Sequence, residues 1–154
     1  MTNIIEGSTK GKGKKFAVVV SRFNDFITKR LLEGCLKELR RCDVKEKKIL
    51  IVWVPGSFEI PLAALRLAEK KSIDAVICLG AVIRGETLHF DLIAHSVTRG
   101  IAQVALLTKK PVIFGVLTTY TVKQAYKRSE PRGDNKGRDA ARSALEMTNL
   151  LDRL

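Results

Sequence analysis

Four short apolar runs punctuate the chain, and none of them alternates. Phe16-Ala17-Val18-Val19-Val20, Ile49-Leu50-Ile51-Val52-Trp53-Val54, Ala75-Val76-Ile77-Cys78-Leu79 and Pro111-Val112-Ile113-Phe114-Gly115-Val116-Leu117 are continuous and rich in β-branched residues. This is the pattern of strands covered on both faces. Between the runs the period changes to three and four, with Leu31, Leu32, Cys35, Leu36 and Leu39 on one helix, Ile93, Val97, Ile101, Val104 and Leu107 on another, and Ala140, Ala141, Ala144, Leu145 and Thr148 on a last one. Ser57 reads as the N-cap of a helix over 58–70, with Pro61 in its first turn, where a missing N–H costs little. A short helix over 121–128 and a polar loop over 129–136 precede the last helix. Strand and helix alternate throughout, which predicts an α/β three-layer sandwich: a four-stranded parallel sheet, right-handed crossovers and helices on both faces. The whole of 1–154 reads as one domain. Residues 1–14 form an extended arm, in which Asn3-Ile4-Ile5-Glu6 is suited to add a strand to a neighbour and Gly11-Lys12-Gly13-Lys14 is a flexible connector.

In such sheets the ligand crevice lies beyond the carboxyl ends of the strands. That rule gathers Arg22-Phe23-Asn24, Pro55-Gly56-Ser57-Phe58-Glu59, residues 80–89 and the segment after Phe114. The third of these holds most of the chemistry. Gly80 and Gly85 allow a turn and close approach of a ligand, and a helix starting near His89 directs unsatisfied N–H groups into it, so an anion fits there. His89, one of only two histidines, adds a proton carrier in the first helical turn. A plainer reading also stands, with glycines that merely make the turn and a structural histidine. Glu86 opposes an anion unless its carboxylate faces away and the N–H groups of Gly85, Glu86 and Thr87 do the binding. Phe23 and Phe114 suit stacking on a flat heterocycle or equally the edge of the core. Asn24 and Glu59 offer polar contacts, and Arg128 and Lys136 offer phosphate binding, against ordinary solvated roles.

Composition narrows the partners. The net charge is +12, from 28 Lys+Arg against 16 Asp+Glu, but the basic residues are dispersed and many fall where helices end, where the dipole favours them. With 6% aromatic residues there is no basic-aromatic platform for single-stranded nucleic acid, so no specific nucleic-acid partner is expected. No apolar stretch is long enough for a membrane span, and the amino terminus lacks the apolar core of a signal peptide, which points to the cytoplasm. Cys35, Cys42 and Cys78 have no CxxC spacing and read as reduced thiols, with Cys35 and Cys78 as small buried hydrophobes. The loop after the first strand has no glycine, which excludes a dinucleotide fingerprint, and Ser21 and Gly80 stand where a phosphate-accepting receiver domain needs carboxylates. His89 and His95 are six apart, on different faces of one helix, with no cysteine at ligand spacing, so no metal site is expected.

The segments Ser21-Arg22-Phe23-Asn24, Val54-Pro55-Gly56-Ser57-Phe58-Glu59-Ile60-Pro61, Gly80-Ala81-Val82-Ile83-Arg84-Gly85 with Thr87 and His89, Lys110-Pro111-Val112-Ile113-Phe114-Gly115, and Asn135-Lys136-Gly137 together resemble the 6,7-dimethyl-8-ribityllumazine synthase family, in order and with compatible spacing from Ile4 to Leu150. The resemblance implies a flavodoxin-like fold. It also implies the penultimate step of riboflavin biosynthesis, in which a transferase condenses 5-amino-6-(D-ribitylamino)uracil with 3,4-dihydroxy-2-butanone 4-phosphate, releasing phosphate and water, with neither metal nor organic cofactor. By the same resemblance Phe23 stacks on the pyrimidine, Asn24, Ser57, Phe58 and Glu59 hold the ring and ribityl chain, and Val82 and Ile83 line the pocket. Gly85, Glu86 and Thr87 bind phosphate with Arg128 as its clamp, and His89 carries protons. Phe114, Arg128 and Lys136 are expected from an adjacent subunit of a homo-pentamer, with an icosahedral capsid of pentamers and association with riboflavin synthase as further implied states.

The chain departs from the family pattern at Ala81, where threonine is common, at Glu86, usually smaller, and over 129–134, where Glu130, Pro131 and Asp134 enter the phosphate neighbourhood. Two rival readings remain beside this one. The related archaeal-type riboflavin synthase would dismutate the lumazine, and a cage or binding protein would use its positive charge without turnover.

Overall fold

The computed structural model describes all residues, 1–154. Its elements are β1 (Phe16–Ser21), α1 (Asp25–Arg41), β2 (Ile49–Val54), α2 (Ile60–Ala68), β3 (Ala75–Ile83), α3 (His89–Thr108), β4 (Val112–Thr119), α4 (Val122–Lys127) and α5 (Lys136–Leu151). All strand pairs are parallel, in the order β2-β1-β3-β4. The chain therefore leaves β1 in one direction to β2, then crosses back to β3, and the carboxyl ends of β1 and β3 become the switch point at which a crevice opens. This is the flavodoxin-like α/β sandwich that the alternation of periods predicts.

Burial on both faces follows the two-residue period of a strand. Phe16, Val18 and Val20 of β1 join α1 and α5 in a cluster of 19 buried residues, whereas Ala17 and Val19 join α2 and α3 in one of 17. All three thiols are buried, and burial pushes the Cys35 thiol up to about 12. Helices α1 and α5 approach closely because residue 137 is glycine: a Cβ there would lie 1.9 Å from the Leu31 carbonyl oxygen.

The structure corrects several local expectations. Strand β3 continues through Gly80-Ala81-Val82-Ile83, which pair with Val116 to Thr119 of β4, so the turn begins at Arg84. The segment 57–59 is a 3₁₀ turn, α2 proper ends at Ala68, and the Ser57 side chain makes no cap hydrogen bond; Pro61 does sit in the first turn. Leu107, expected in the core, is 65% exposed. Residues 3–6 form no strand within this chain; the arm lies along α5, with Asn149 Nδ2 donating to the Ser8 and Lys10 carbonyls and Arg153 to that of Glu6.

One carboxylate ties α1 to α5. Glu38, 5% exposed, accepts from Arg41 of its own helix at 2.6 Å and from Arg142 Nε of α5 at 2.8 Å. The Arg41 hydrogen bond, and then that of Arg142, hold the Glu38 carboxyl down to about 2, from an ordinary 4.5. Because the folded value is depressed, the stabilisation is fully present above pH 4.5 and is lost as pH falls towards 2. Glu38→Gln should therefore lower unfolding free energy by about 2 kcal/mol at pH 7, a figure discounted for the half-exposed guanidiniums, and by much less at pH 3. Urea titrations at the two pH values check this; an equal deficit at both would remove the charge from the explanation.

Candidate active site

At the carboxyl edge the first loop is shaped by Asn24. Its backbone is left-handed, with φ 60°, a conformation asparagine tolerates. Its side-chain Nδ2 donates to the Ala81 carbonyl at 2.8 Å, and its own carbonyl accepts from Ile27 and Thr28 at the start of α1. Arg22 and Phe23 donate backbone N–H groups to Val54 and Pro55, which docks this loop on the next. The result projects the Phe23 ring outward, 70% exposed, over the crevice. Opposite it stands the 56–59 turn. Gly80 allows that turn to come close, since a Cβ there would lie 2.8 Å from Ser57 Oγ.

The crevice between these loops encloses about 500 Å³. Its walls include Phe23, Ser57, Phe58 and Glu59 on one side and Val82, Ile83, Gly85, Thr87 and His89 on the other. His89 is the first residue of α3 and is exposed, and its N–H faces Thr87 Oγ1 at 3.4 Å. Helix α3 is 20 residues long, and its first-turn N–H groups and dipole make the loop before it favourable for an anion. A flat aromatic ring, a carboxylate, a histidine and an anion-tolerant helix start therefore surround one small-molecule-sized space.

Two predicted residues do not line this space. Glu86 is exposed and is not among the lining residues, and the Asn24 amide is committed to Ala81. Three others gather elsewhere: Phe114, Arg128 and Lys136 line a second cleft of about 330 Å³ beside β4 and α5. Arg128 Nη1 donates to the Gln124 carbonyl at 3.3 Å, and Phe114 is 41% exposed. Lys136 lies 3.3 Å from Asp134 and 3.4 Å from Asp139; the Asp134 hydrogen bond, then Asp139, raise its pKa. Glu130 faces Arg30 at 3.6 Å. Of the acidic residues in the 129–134 loop, one thus engages Arg30 and the other Lys136.

Sequence reasoning missed Phe90 and Ile93 in the first cleft and Asp139 in the second, whereas the turn that begins at Pro55 and Gly56 lies in the first cleft as expected. Ile93 was within reach, because it follows His89 by four residues and shares its helix face. Arg84, whose guanidinium lies 5.4 Å from the Tyr120 ring centre, and Tyr120, 6.2 Å from Phe90, brace the turn from behind. Another cleft, of about 600 Å³, lies at the opposite edge among Leu65, Lys71, Leu107 and Lys110 and contains no histidine, cysteine or aromatic ring.

The parallel sheet with its crevice at the β1/β3 switch point defines a doubly wound α/β protein that binds a small molecule at its carboxyl edge. The sequence model of the 6,7-dimethyl-8-ribityllumazine synthase family matches residues 13–152. A relative from Desulfotalea psychrophila (strain LSv54 / DSM 12343), itself named 6,7-dimethyl-8-ribityllumazine synthase, is 54% identical over 154 residues, covering 100% of this chain and 99% of the relative. The chain belongs to the 6,7-dimethyl-8-ribityllumazine synthase family.

Between its two aspartates the Lys136 ammonium should titrate above free lysine, and Asp134→Asn should bring it back further than Asp139→Asn. Heteronuclear NMR of the lysine side chain across alkaline pH measures both; equal or absent shifts would mean that the aspartates do not hold it in solution.

Proposed function

We propose that this chain condenses 5-amino-6-(D-ribitylamino)uracil with 3,4-dihydroxy-2-butanone 4-phosphate to 6,7-dimethyl-8-ribityllumazine, phosphate and water. The observation that carries the reading is the 500 Å³ crevice in which Phe23, Glu59 and His89 face one another beside the start of α3. Phe23 stacks on the pyrimidine, with Ser57, Phe58 and Glu59 holding the ring and ribityl hydroxyls and Val82 and Ile83 forming the apolar wall. Asn24 contributes by fixing the loop that carries Phe23. The N–H groups of Gly85, Glu86 and Thr87 bind the ketone phosphate, with the Glu86 carboxylate directed to solvent.

The reaction needs little beyond alignment and proton transfer. An amine attacks the ketone, the imine forms with loss of one water, elimination of phosphate unmasks a second carbonyl, and the second nitrogen adds to it and closes the ring with loss of a second water. His89 gives and takes the protons, a role typically worth about 10²–10⁴ in rate, and holding both reactants face to face supplies much of the rest. No covalent bond to the chain is required, so Lys136 acts by charge.

Phe114, Arg128 and Lys136 act in the crevice of an adjacent subunit, within a homo-pentamer. Two features support this: these three residues form a half-site of their own, and β2 is an uncovered edge with Leu50, Ile51 and Trp53 exposed, suited to a neighbour's 3–6 segment. The connection before α5 has no insertion, in keeping with pentamers that close into a capsid. A cytoplasmic site of action and association with riboflavin synthase complete the reading; no helix is long and apolar enough to cross a membrane.

Product formation from the two substrates, followed by lumazine absorbance against an enzyme-free control, tests the activity directly. Acceleration is expected. Riboflavin appearing from the lumazine alone would favour the dismutating relative instead. His89→Ala should reduce kcat about 100-fold with assembly intact, and Arg128→Ala should mainly raise KM for the phosphorylated ketone. Neither variant alone is active at wild-type rate, but equal mixtures refolded together should regain roughly a quarter of the sites, because in a ring each site draws the two residues from different subunits. No regain on mixing would return Arg128 to its own chain's site.

A further inference from the structure

Helices α1 and α5 flank a further recess, of about 430 Å³, that no step of the proposed reaction uses. No hydrophobic side chain lines it; Lys37, Glu38 and Arg41 come from α1 and Arg138, Asp139 and Arg142 from α5. Both carboxylates are already engaged. Glu38 lies beneath the Arg41 and Arg142 guanidiniums, and Asp139 pairs with Lys136, which lines the neighbouring cleft. Lys37 and Arg138 form no ion pair, and the one side-chain hydrogen bond of Arg138 runs to the Gly133 carbonyl at 2.6 Å.

The buried Glu38 also fixes geometry. It binds Arg41 through Nε and Nη2 and Arg142 through Nε, so both guanidiniums are held in place at the recess while Arg41 Nη1 and both terminal nitrogens of Arg142 make no hydrogen bond within the chain, the two side chains being 58% and 56% exposed. A pair of guanidiniums fixed in place, with terminal N–H groups to spare, beside Lys37 and Arg138, which form no ion pair, matches a tetrahedral oxyanion, with little ordering required on binding. With Gly34 and Pro131 as its only uncharged lining residues and no aromatic ring, the recess has no face on which a base would stack or an acyl chain would lie. We propose that the α1/α5 recess is a second anion site, distinct from the reaction crevice, that binds a phosphate or pyrophosphate group, whether free or esterified to a small polar molecule.

Calorimetric titration with pyrophosphate separates this site from the reaction crevice when it is done on assembled Arg128→Ala protein, in which the clamp proposed for the substrate phosphate is removed. About one pyrophosphate per chain should bind, and Lys37→Glu or Arg142→Gln in that background should weaken it about tenfold or more. Lys37 has no partner to lose, so its variant keeps the fold and decides the matter if Arg142→Gln does not. In the otherwise unaltered chain Lys37→Glu should leave lumazine formation unchanged. Inorganic phosphate and ribose 5-phosphate, titrated in parallel, distinguish a free from an esterified source by which competes better with pyrophosphate. No binding to the Arg128→Ala protein, or binding indifferent to Lys37→Glu, overturns the proposal. So does preferential binding of an RNA oligomer at these residues with a salt slope of several phosphates, which would mean a polyanion surface in place of a small-anion site.

Discussion

Everything in this structure depends on a strand that never meets water. All five residues from Phe16 to Val20 are fully buried, paired to β2 on one side and β3 on the other and covered by helices above and below. Each face of β1 belongs to a different core, as do the two faces of its neighbour β3, so the two helical layers are registered to each other through this central pair. Its carboxyl end is then the one place where the covering stops. The chain turns there through Asn24, and the amide of that residue reaches across to Ala81 on β3, fixing the mouth of the crevice to the most buried part of the sheet. A site built so is rigid where the flat ring would stack and open where phosphate would enter.

How much of this was legible follows from the physics of each signal. Continuous apolar runs announced the strands, although the double cover they imply holds for β1 and β3 and not for β2, whose Leu50, Ile51 and Trp53 are exposed, and the long helix starting near His89 came out of its spacing. The limits of β3 did not. Gly80 and Gly85 looked like turn residues, yet Gly80 lies inside the strand, where its lack of a side chain admits Ser57. Glycine reports either freedom or proximity, and a sequence does not say which. Leu107 misled in the same manner, since a helix near its end can place a periodic leucine outside the core. Ser57 matched the capping pattern while its backbone formed a 3₁₀ turn ahead of the helix. Of the candidate site, the residues before and on α3 were readable from their loops, but Asp139 was not, because its approach to Lys136 depends on how α5 begins.

Charge has a local logic in this basic chain. Acidic residues on the α1/α5 side are assigned to particular cations: Glu130 to Arg30, Asp134 and Asp139 to Lys136, Glu38 to Arg41 and Arg142. None of these carboxylates lines the crevice that holds His89. The departures at Glu130 and Asp134 thus fall on the half-site side of the molecule. Asp134 acts on Lys136 by hydrogen bond and Coulomb attraction together, which keeps the lysine charged and also restrains where it points.

That restraint bears on how a divided site would assemble. A lysine free to rotate loses up to about 2 kcal/mol of side-chain entropy when it is fixed against a ligand. One already held between two aspartates has lost part of this in the free chain, so less is lost when the neighbouring crevice is met. The same argument covers the edge of β2. Exposed Leu50, Ile51 and Trp53 keep a solitary chain prone to indiscriminate edge pairing, whereas a neighbour's arm would satisfy the backbone and cover the side chains in one geometry. Pre-ordering of the cation and an unsatisfied edge act in the same direction. In the pentamer proposed above they would make the assembled state the one in which apolar surface is covered and the proposed site is completed, so activity would be tied to assembly by the same contacts that stabilise it.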